Sequence, residues 1–303
     1  MRPGQIGAQA RHTNVLKGAA RLAAGAMFAG LLTAAPALAQ TKEGSSYSAP
    51  AQIGMLEPVT PIAREMAFFH NGILLPIITI ITLFVLALLI YVVIKFNAAA
   101  NPTPSRTTHH VGLEVAWTVV PLLILVVIAY PSFTLLTRQL TIPEADVTMK
   151  VTGKQWYWTY TYPKEQAGGF EFDSNLLDQA KLEPGKLRLL DVDNEAVVPV
   201  GKTIRLQITA DAVGVIHSFV IPAFGVRLDA VPGRLNETWF KAEREGMYYG
   251  QCSKLCGKDH AYMPIAFRVV SQEQYEAWLT QAKGKYASTP SSVTFADASA
   301  TRQ

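Results

Sequence analysis

The sequence predicts a membrane-anchored all-β protein: a two-helix transmembrane hairpin followed by a β-sandwich or small barrel. Three observations carry this. Two apolar runs lie in the first half, at Gly72–Ile94 and from about Val111 to Leu136. From about Asp146 onward, short strand-like segments recur between turn signals. The 303 residues are 50% hydrophobic and only 17% charged, and that excess sits in the runs instead of being spread along the chain.

The first 39 residues read as an export signal. Arg2, Arg11, Lys17 and Arg21 precede an apolar stretch from Leu22 to Leu32, and Ala37-Leu38-Ala39 suits cleavage before Gln40. The alternative is a third span, but the apolar core is short and rich in Ala and Gly. Those four cations also explain the basic balance. Without them, 23 basic residues face 23 acidic ones, so the charge implies no nucleic-acid partner. Residues 40–71 form an extracytoplasmic lead-in.

Residues 72–136 are expected to form the hairpin. Gly72–Ile94 holds 23 residues without a charge, enough for a helix to cross a bilayer. Pro76 lies near its start, where a missing amide costs least. The second run contains Glu114 and Pro121, and Pro131 marks its exit region. Lys95, Arg106, His109 and His110 lie between the runs, with no acid before Glu114, which places that loop in the cytoplasm. Everything after residue 136 then lies outside, in agreement with an export signal.

The β-domain is expected over residues 145–281. The segments are Val147–Val151, Gln155–Tyr162, Gly169–Asp173, Leu187–Val192, Thr203–Thr209, Ile216–Ile221, Arg234–Lys241, Met247–Gln251 and Met263–Val270. In Thr203–Thr209, Ile204, Leu206 and Ile208 alternate with Arg205 and Gln207, as in a strand with one buried face. Pro-Gly pairs at Pro184-Gly185 and Pro232-Gly233 mark turns. Ser271–Thr280 reads as a short helix capped by Ser271, and residues 282–303 as a flexible tail rich in Ser, Thr and Ala.

The chemistry concentrates in Cys252-Ser-Lys-Leu-Cys256-Gly-Lys-Asp-His260-Ala-Tyr-Met263, which contains the chain's only two cysteines. Soft sulfur with imidazole favours copper or zinc, and the thioether argues against ordinary structural zinc. His217, opening a strand, supplies a second imidazole if neighbouring strands bring it to the same rim. A mononuclear blue copper site needs one Cys, two His and a weak Met, which leaves a thiolate over. Two thiolates can bridge two copper ions, with one His on each. Met263 and a backbone carbonyl of the Cys loop then serve as weak ligands. A Cys252–Cys256 disulfide, a structural zinc and an anchored copper-binding or assembly protein remain open alternatives.

Two further features bear on function. Gln155-Trp156-Tyr157-Trp158 places both tryptophans on one face of a strand. They are core residues, or one is exposed at the metal rim and suits electron exchange. Glu114, at the cytoplasmic end of the second span, is functional or a first-turn acid reaching the interface.

Over roughly residues 55–280 the chain resembles subunit II of bacterial haem–copper cytochrome c oxidases. The likeness runs through both spans, Gln155-Trp156-Tyr157-Trp158, Asp229-Ala-Val-Pro-Gly-Arg-Leu-Asn236 and the Cys loop. It implies a cupredoxin-like Greek-key domain holding the binuclear copper centre CuA. His217, Cys252, Cys256, His260, Met263 and the backbone carbonyl of Lys254 match the ligands. Trp156 matches the point of electron input from cytochrome c, and Asp193 and Asp229 match docking acids. Glu114 matches a glutamate near the mouth of a proton-uptake channel formed by subunit I. The implied partners are subunit I, which holds the haems and reduces oxygen to water, together with subunit III and membrane lipid. The implied location is the bacterial inner membrane, crossed twice, with the N-terminus and the copper domain in the periplasm. A quinol-oxidase type of subunit II would lack both cysteines. One departure stands out. The family has Glu where this chain has Lys254, so the interfacial Mg or Mn site is expected to be lost or altered.

Overall fold

A computed structural model describes residues 45–49, 52–164, 169–180 and 182–286. The expected signal, residues 1–39, and the end of the expected tail, residues 287–303, lie outside the described residues. Residues 48–49 and 52–54 fall outside the compact unit that holds the other described residues; among them the Ala49 amide donates to Gln52 Oε1 at 2.9 Å.

The first helical segment starts earlier than hydropathy suggests. Thr60 caps helix α1 (Pro61–Phe68) by accepting from the Ala63 amide at 3.1 Å, and Pro61 occupies the first turn. The helix continues through a π-helical segment, Phe69–Leu74, into α2 (Leu75–Lys95). Pro76 therefore sits inside a 35-residue helical stretch, not at its start. Having no N–H, it leaves the Gly72 carbonyl without its helical donor. The wider π turn just before it, in which the Leu75 amide bonds His70 O, accommodates that loss.

Helix α3 (Val111–Leu140) also runs through its prolines, Pro121 and Pro131, and ends four residues beyond the expected exit. Helices that cross membranes tolerate internal proline because neighbours re-satisfy the freed groups. Both segments are long and apolar enough to span a bilayer, and α2 and α3 bury none of their apolar side chains within the chain, whereas α1 buries Ile62 and Ala63.

The β-domain packs two sheets. Its strands are β1 (Ser45–Ser46), β2 (Val147–Lys154), β3 (Tyr157–Tyr162), β4 (Phe170–Ser174), β5 (Ala196–Pro199), β6 (Ile204–Ala210), β7 (His217–Ile221), β8 (Val226–Ala230), β9 (Asn236–Phe240), β10 (Gly246–Cys252) and β11 (Pro264–Val270). One sheet has the order β5-β11-β10-β7-β8, with β1 also paired to β10, and the other β4-β3-β2-β6-β9. Alternation along β2 (buried at Val147, Met149 and Val151) and burial of Trp158, Tyr160, Phe219 and Phe267 build the core between them. This is the cupredoxin-like architecture.

Several expectations need correction. Leu187–Val192 is a turn. Asp191 accepts from the Leu187 amide at 2.7 Å, and the apolar residues there pack in a small satellite cluster. Strands Ala196–Pro199 and Val226–Ala230 have no counterpart among the expected segments. Trp156 is not on a strand but in the two-residue turn that joins β2 and β3. The last helix, α4 (Gln272–Tyr286), passes both Thr280 and Gly284. Tyr286 stacks on Phe172 at 4.8 Å and donates to Asn194 Oδ1 at 2.7 Å, so tertiary packing outweighs the glycine.

The sandwich is tied to α1 at Gly225. The Val59 amide donates to Ala223 O at 3.0 Å and Thr60 Oγ1 to Phe224 O at 2.8 Å. Gly225 has φ +68°, and a Cβ there would lie 3.1 Å from Ala63 Cα, so only glycine allows both the turn and the close approach. Arg64–Glu243 and Trp239 Nε1 to Arg138 O, at 3.3 Å, complete the connection.

Candidate metal centre

Strand register brings the chemical residues to one rim. β10 pairs antiparallel with β7, Cys252 opposite Phe219, so the start of β7 extends to the level of the loop that follows β10. The Ser253 amide donates to Ser218 O at 3.1 Å and fixes that loop against β7. β10 and β11 pair from Gly246↔Val269 to Gln251↔Pro264, so Met263 returns to the same end, after a 3₁₀ turn at His260–Tyr262.

His217, Cys252, Cys256 and Met263 are buried and His260 is half-buried. Both thiols are free, with their sulfurs 3.8 Å apart. Each sulfur is flanked by one imidazole and one weaker donor. Cys252 Sγ lies 3.9 Å from His217 Nδ1 and 3.3 Å from Lys254 O. Cys256 Sγ lies 3.5 Å from His260 Nδ1 and 3.6 Å from Met263 Sδ. A metal–thiolate bond is about 2.3 Å, so an ion on either side of the sulfur pair can bond both. The Cys252, Cys256 and His217 cluster therefore fits a copper site.

Burial, reinforced by the Cys252 sulfur, pushes the Cys256 thiol up to about 12. Burial, then the nearby His260, lowers the His217 pKa. Without a metal, burial thus favours the neutral imidazole of His217 and the thiol form of Cys256. Metal binding must displace thiol protons.

The scaffold holds these donors by packing. The ring of Trp158 lies 5.9 Å from that of His217, and its Nε1 donates to Met263 O at 3.2 Å. Gly153 leaves room for both rings, since a Cβ would come within 3.0 Å of His217 and 3.1 Å of Trp158. Trp156 reaches across from the opposite sheet, and its Nε1 donates to Cys256 O at 3.0 Å. Lys258 Nζ stands 5.4 Å from the Trp156 ring centroid. Sequence reasoning missed Gly153, Gly257 and Lys258, because nothing in their local pattern shows which rings they meet.

The remaining expected residues sit as follows. Lys254 Nζ pairs with Asp229 Oδ2 at 3.1 Å, so that acid is not a free carboxylate. Asp193 brackets Asn175, accepting from its amide at 2.7 Å and its Nδ2 at 3.2 Å. Glu114 caps its own helix, accepting from the His110 amide at 3.1 Å, while His110 Nδ1 accepts from the Leu113 amide at 3.2 Å.

Comparison with known proteins covers both halves. Residues 147–270 match the family "Cytochrome C oxidase subunit II, periplasmic domain", and residues 48–135 match "Cytochrome C oxidase subunit II, transmembrane domain". The chain is 50% identical over 235 residues to a probable cytochrome c oxidase subunit 2 of Rickettsia bellii (strain RML369-C), covering 78% of this chain and 86% of the relative. It is 46% identical over 289 residues to cytochrome c oxidase subunit 2 of Cereibacter sphaeroides, covering 90% and 93%. The crystal structure of the periplasmic domain of cytochrome oxidase subunit II of Bradyrhizobium japonicum shares 60% identity. It covers 48% of this chain and 99% of that one, with a TM-score of 0.44.

Proposed function

We propose, from the premise that this chain belongs to the cytochrome c oxidase subunit II family, that its sulfur rim holds a binuclear copper centre of the CuA type that accepts electrons from cytochrome c. The chain is an electron-transfer subunit of that enzyme complex. Two spans anchor it in the inner membrane, its C-terminal domain is periplasmic, and it associates with other oxidase subunits.

One observation carries the copper pair: the donor set is doubled. Two sulfurs 3.8 Å apart each have one imidazole and one weak donor beside them. A mononuclear blue copper site would leave one of the two sulfurs unused. When bound, copper supplies a one-electron redox centre that relays electrons toward the haem of subunit I, where oxygen is reduced to water. The residues do the rest. Cys252 and Cys256 would bind the metal as thiolates, and His217, whose pKa burial lowers, would offer Nδ1. The buried walls exclude water, and the hydrogen bonds from Trp156 and Trp158 hold the loop in one geometry on a rigid scaffold.

In this reading Trp156 is the point of electron input. Asp229 is offset by Lys254, so steering of a basic donor falls mainly on Asp193. Glu114 serves the mouth of a proton-uptake channel formed by subunit I. Lys254 presents an ammonium without a lone pair, so an interfacial Mg or Mn site that needs a carboxylate there is lost or altered. Subunit III completes the complex.

Metal analysis of the purified complex tests the copper reading. Two coppers bound through this chain, and no titratable thiol in the native state, are expected. One copper, or a Cys252–Cys256 disulfide in the active complex, would overturn it.

A further inference from the structure

We infer that Gly257 is the positioning residue that seats Trp156 on the metal loop and so sets the route by which an electron reaches Cys256. The inference rests on the reading of Trp156 as the point of electron input.

The two residues come from different sheets. Trp156 lies in the β2–β3 turn, and Gly257 directly follows Cys256 in the loop between β10 and β11. The indole lies flush against the Gly257 backbone. A Cβ at Gly257 would stand 2.7 Å from Cζ2 of Trp156 and 3.1 Å from both Cε2 and Nε1. The backbone there has φ +127°, which an L side chain rarely adopts. Glycine is thus required twice, once for the fold of the loop and once for the approach of the ring.

That approach makes one polar contact: Trp156 Nε1–H donates to Cys256 O at 3.0 Å. From that carbonyl to the sulfur the path runs along covalent bonds of one residue, through Cα and Cβ. The indole is therefore joined to a sulfur of the centre by a single hydrogen bond. Lys258 Nζ, 5.4 Å from the indole centroid, adds a cation–π contact that helps hold the ring. With copper held at Cys256, one electron lost by a reduced c-type cytochrome would reach the metal through the indole and this hydrogen bond. No proton moves and no covalent bond forms.

Adding a methyl group at Gly257 forces the ring away and lengthens the hydrogen bond; the atoms nearest that methyl all belong to Trp156 and none to a metal donor, although the backbone strain falls on the loop that carries Cys256. Rates that depend on close positioning respond steeply to displacements of this size.

The test uses the purified complex carrying Gly257→Ala, Trp156→Phe or both. The single-turnover rate of copper reduction by reduced cytochrome c is measured beside copper content and the optical and EPR spectra of the centre. Trp156→Phe should keep copper content and spectra, and Gly257→Ala, whose backbone strain lowers copper loading, should slow electron input per copper-loaded centre on the order of tenfold. The double variant should be no slower than Trp156→Phe alone, because both changes break one contact. Wild-type input per loaded centre in Gly257→Ala, multiplicative effects in the double variant, or complete loss of copper from Gly257→Ala would each overturn the inference; the last would make Gly257 a determinant of the metal loop alone. If Trp156→Phe leaves the rate unchanged, the reading of Trp156 fails and this inference with it. If Trp156→Phe slows input and Gly257→Ala does not, only the role given to Gly257 fails.

Discussion

The hairpin and the sandwich use the same apolar residue types in opposite ways. Phe84 on α2 is 62% exposed and Val127 on α3 is 66% exposed, whereas Phe219 and Phe267 in the sandwich are fully buried. The hairpin therefore takes its stability from what surrounds it, lipid or other subunits. The sandwich supplies its own core, and every donor of the metal rim belongs to it. Anchoring and chemistry are physically separable, joined through the contact at Gly225 and its flanking hydrogen bonds.

Variants can break that contrast. The largest effect is expected from Cys256→Ser, which removes a sulfur shared by the whole donor set. Copper content should fall to background while insertion of both spans, followed by protease accessibility, stays intact. Retained paired copper would show that the rim is not one unit.

Next in size is truncation of the core. Phe219→Ala should destabilise the sandwich by about 3–5 kcal/mol. The same truncation at Phe84 should leave its melting unchanged within about 0.5 kcal/mol. Thermal unfolding of the β-domain followed by near-UV circular dichroism distinguishes them, and equal losses would contradict the separation of the two regions.

Gly153→Ala is a smaller and more local perturbation. Its Cβ meets His217 and Trp158 at 3.0–3.1 Å, and such overpacking costs about 1–3 kcal/mol. Because the ring of His217 must shift, the copper spectrum should change along with stability. A stability loss with an unaltered spectrum would show that His217 is held by something other than this packing.

The smallest effect concerns acid. The Thr203 amide, donating at 2.8 Å, and then Lys202 hold the Asp146 carboxyl below its ordinary value of 3.8. A carboxyl lowered on folding stabilises above its unfolded pKa and loses that contribution as pH falls through the folded value. Asp146→Asn should therefore lower stability slightly at pH 7 and flatten its fall below about pH 4. An unchanged acid limb would remove Asp146 from that role.

How much was legible follows from the kind of signal each feature leaves. The spans announce themselves because a bilayer demands long uncharged runs. Their ends do not, because capping by Thr60 and packing against Gly225 are made outside the apolar stretch. Strand β6 was legible through its alternation. Ala196–Pro199 was hidden, since all four residues are buried and its proline reads as a turn. Leu187–Val192 misled for the converse reason: apolar residues there pack from a turn held by Asp191. The metal rim was readable from Cys-x3-Cys-x3-His-x2-Met because one loop carries most of its donors. The contacts of Trp156, Gly153 and Gly257 join residues far apart in the chain, and no local pattern encodes them.

The central claim is that two sulfurs flanked by matched donors hold two copper ions as one redox unit. The most direct measurement is the EPR spectrum of the copper-loaded complex, with hyperfine structure assigned using a single copper isotope. One unpaired electron shared equally by two copper nuclei is the expected result. Hyperfine coupling to a single copper nucleus would contradict it.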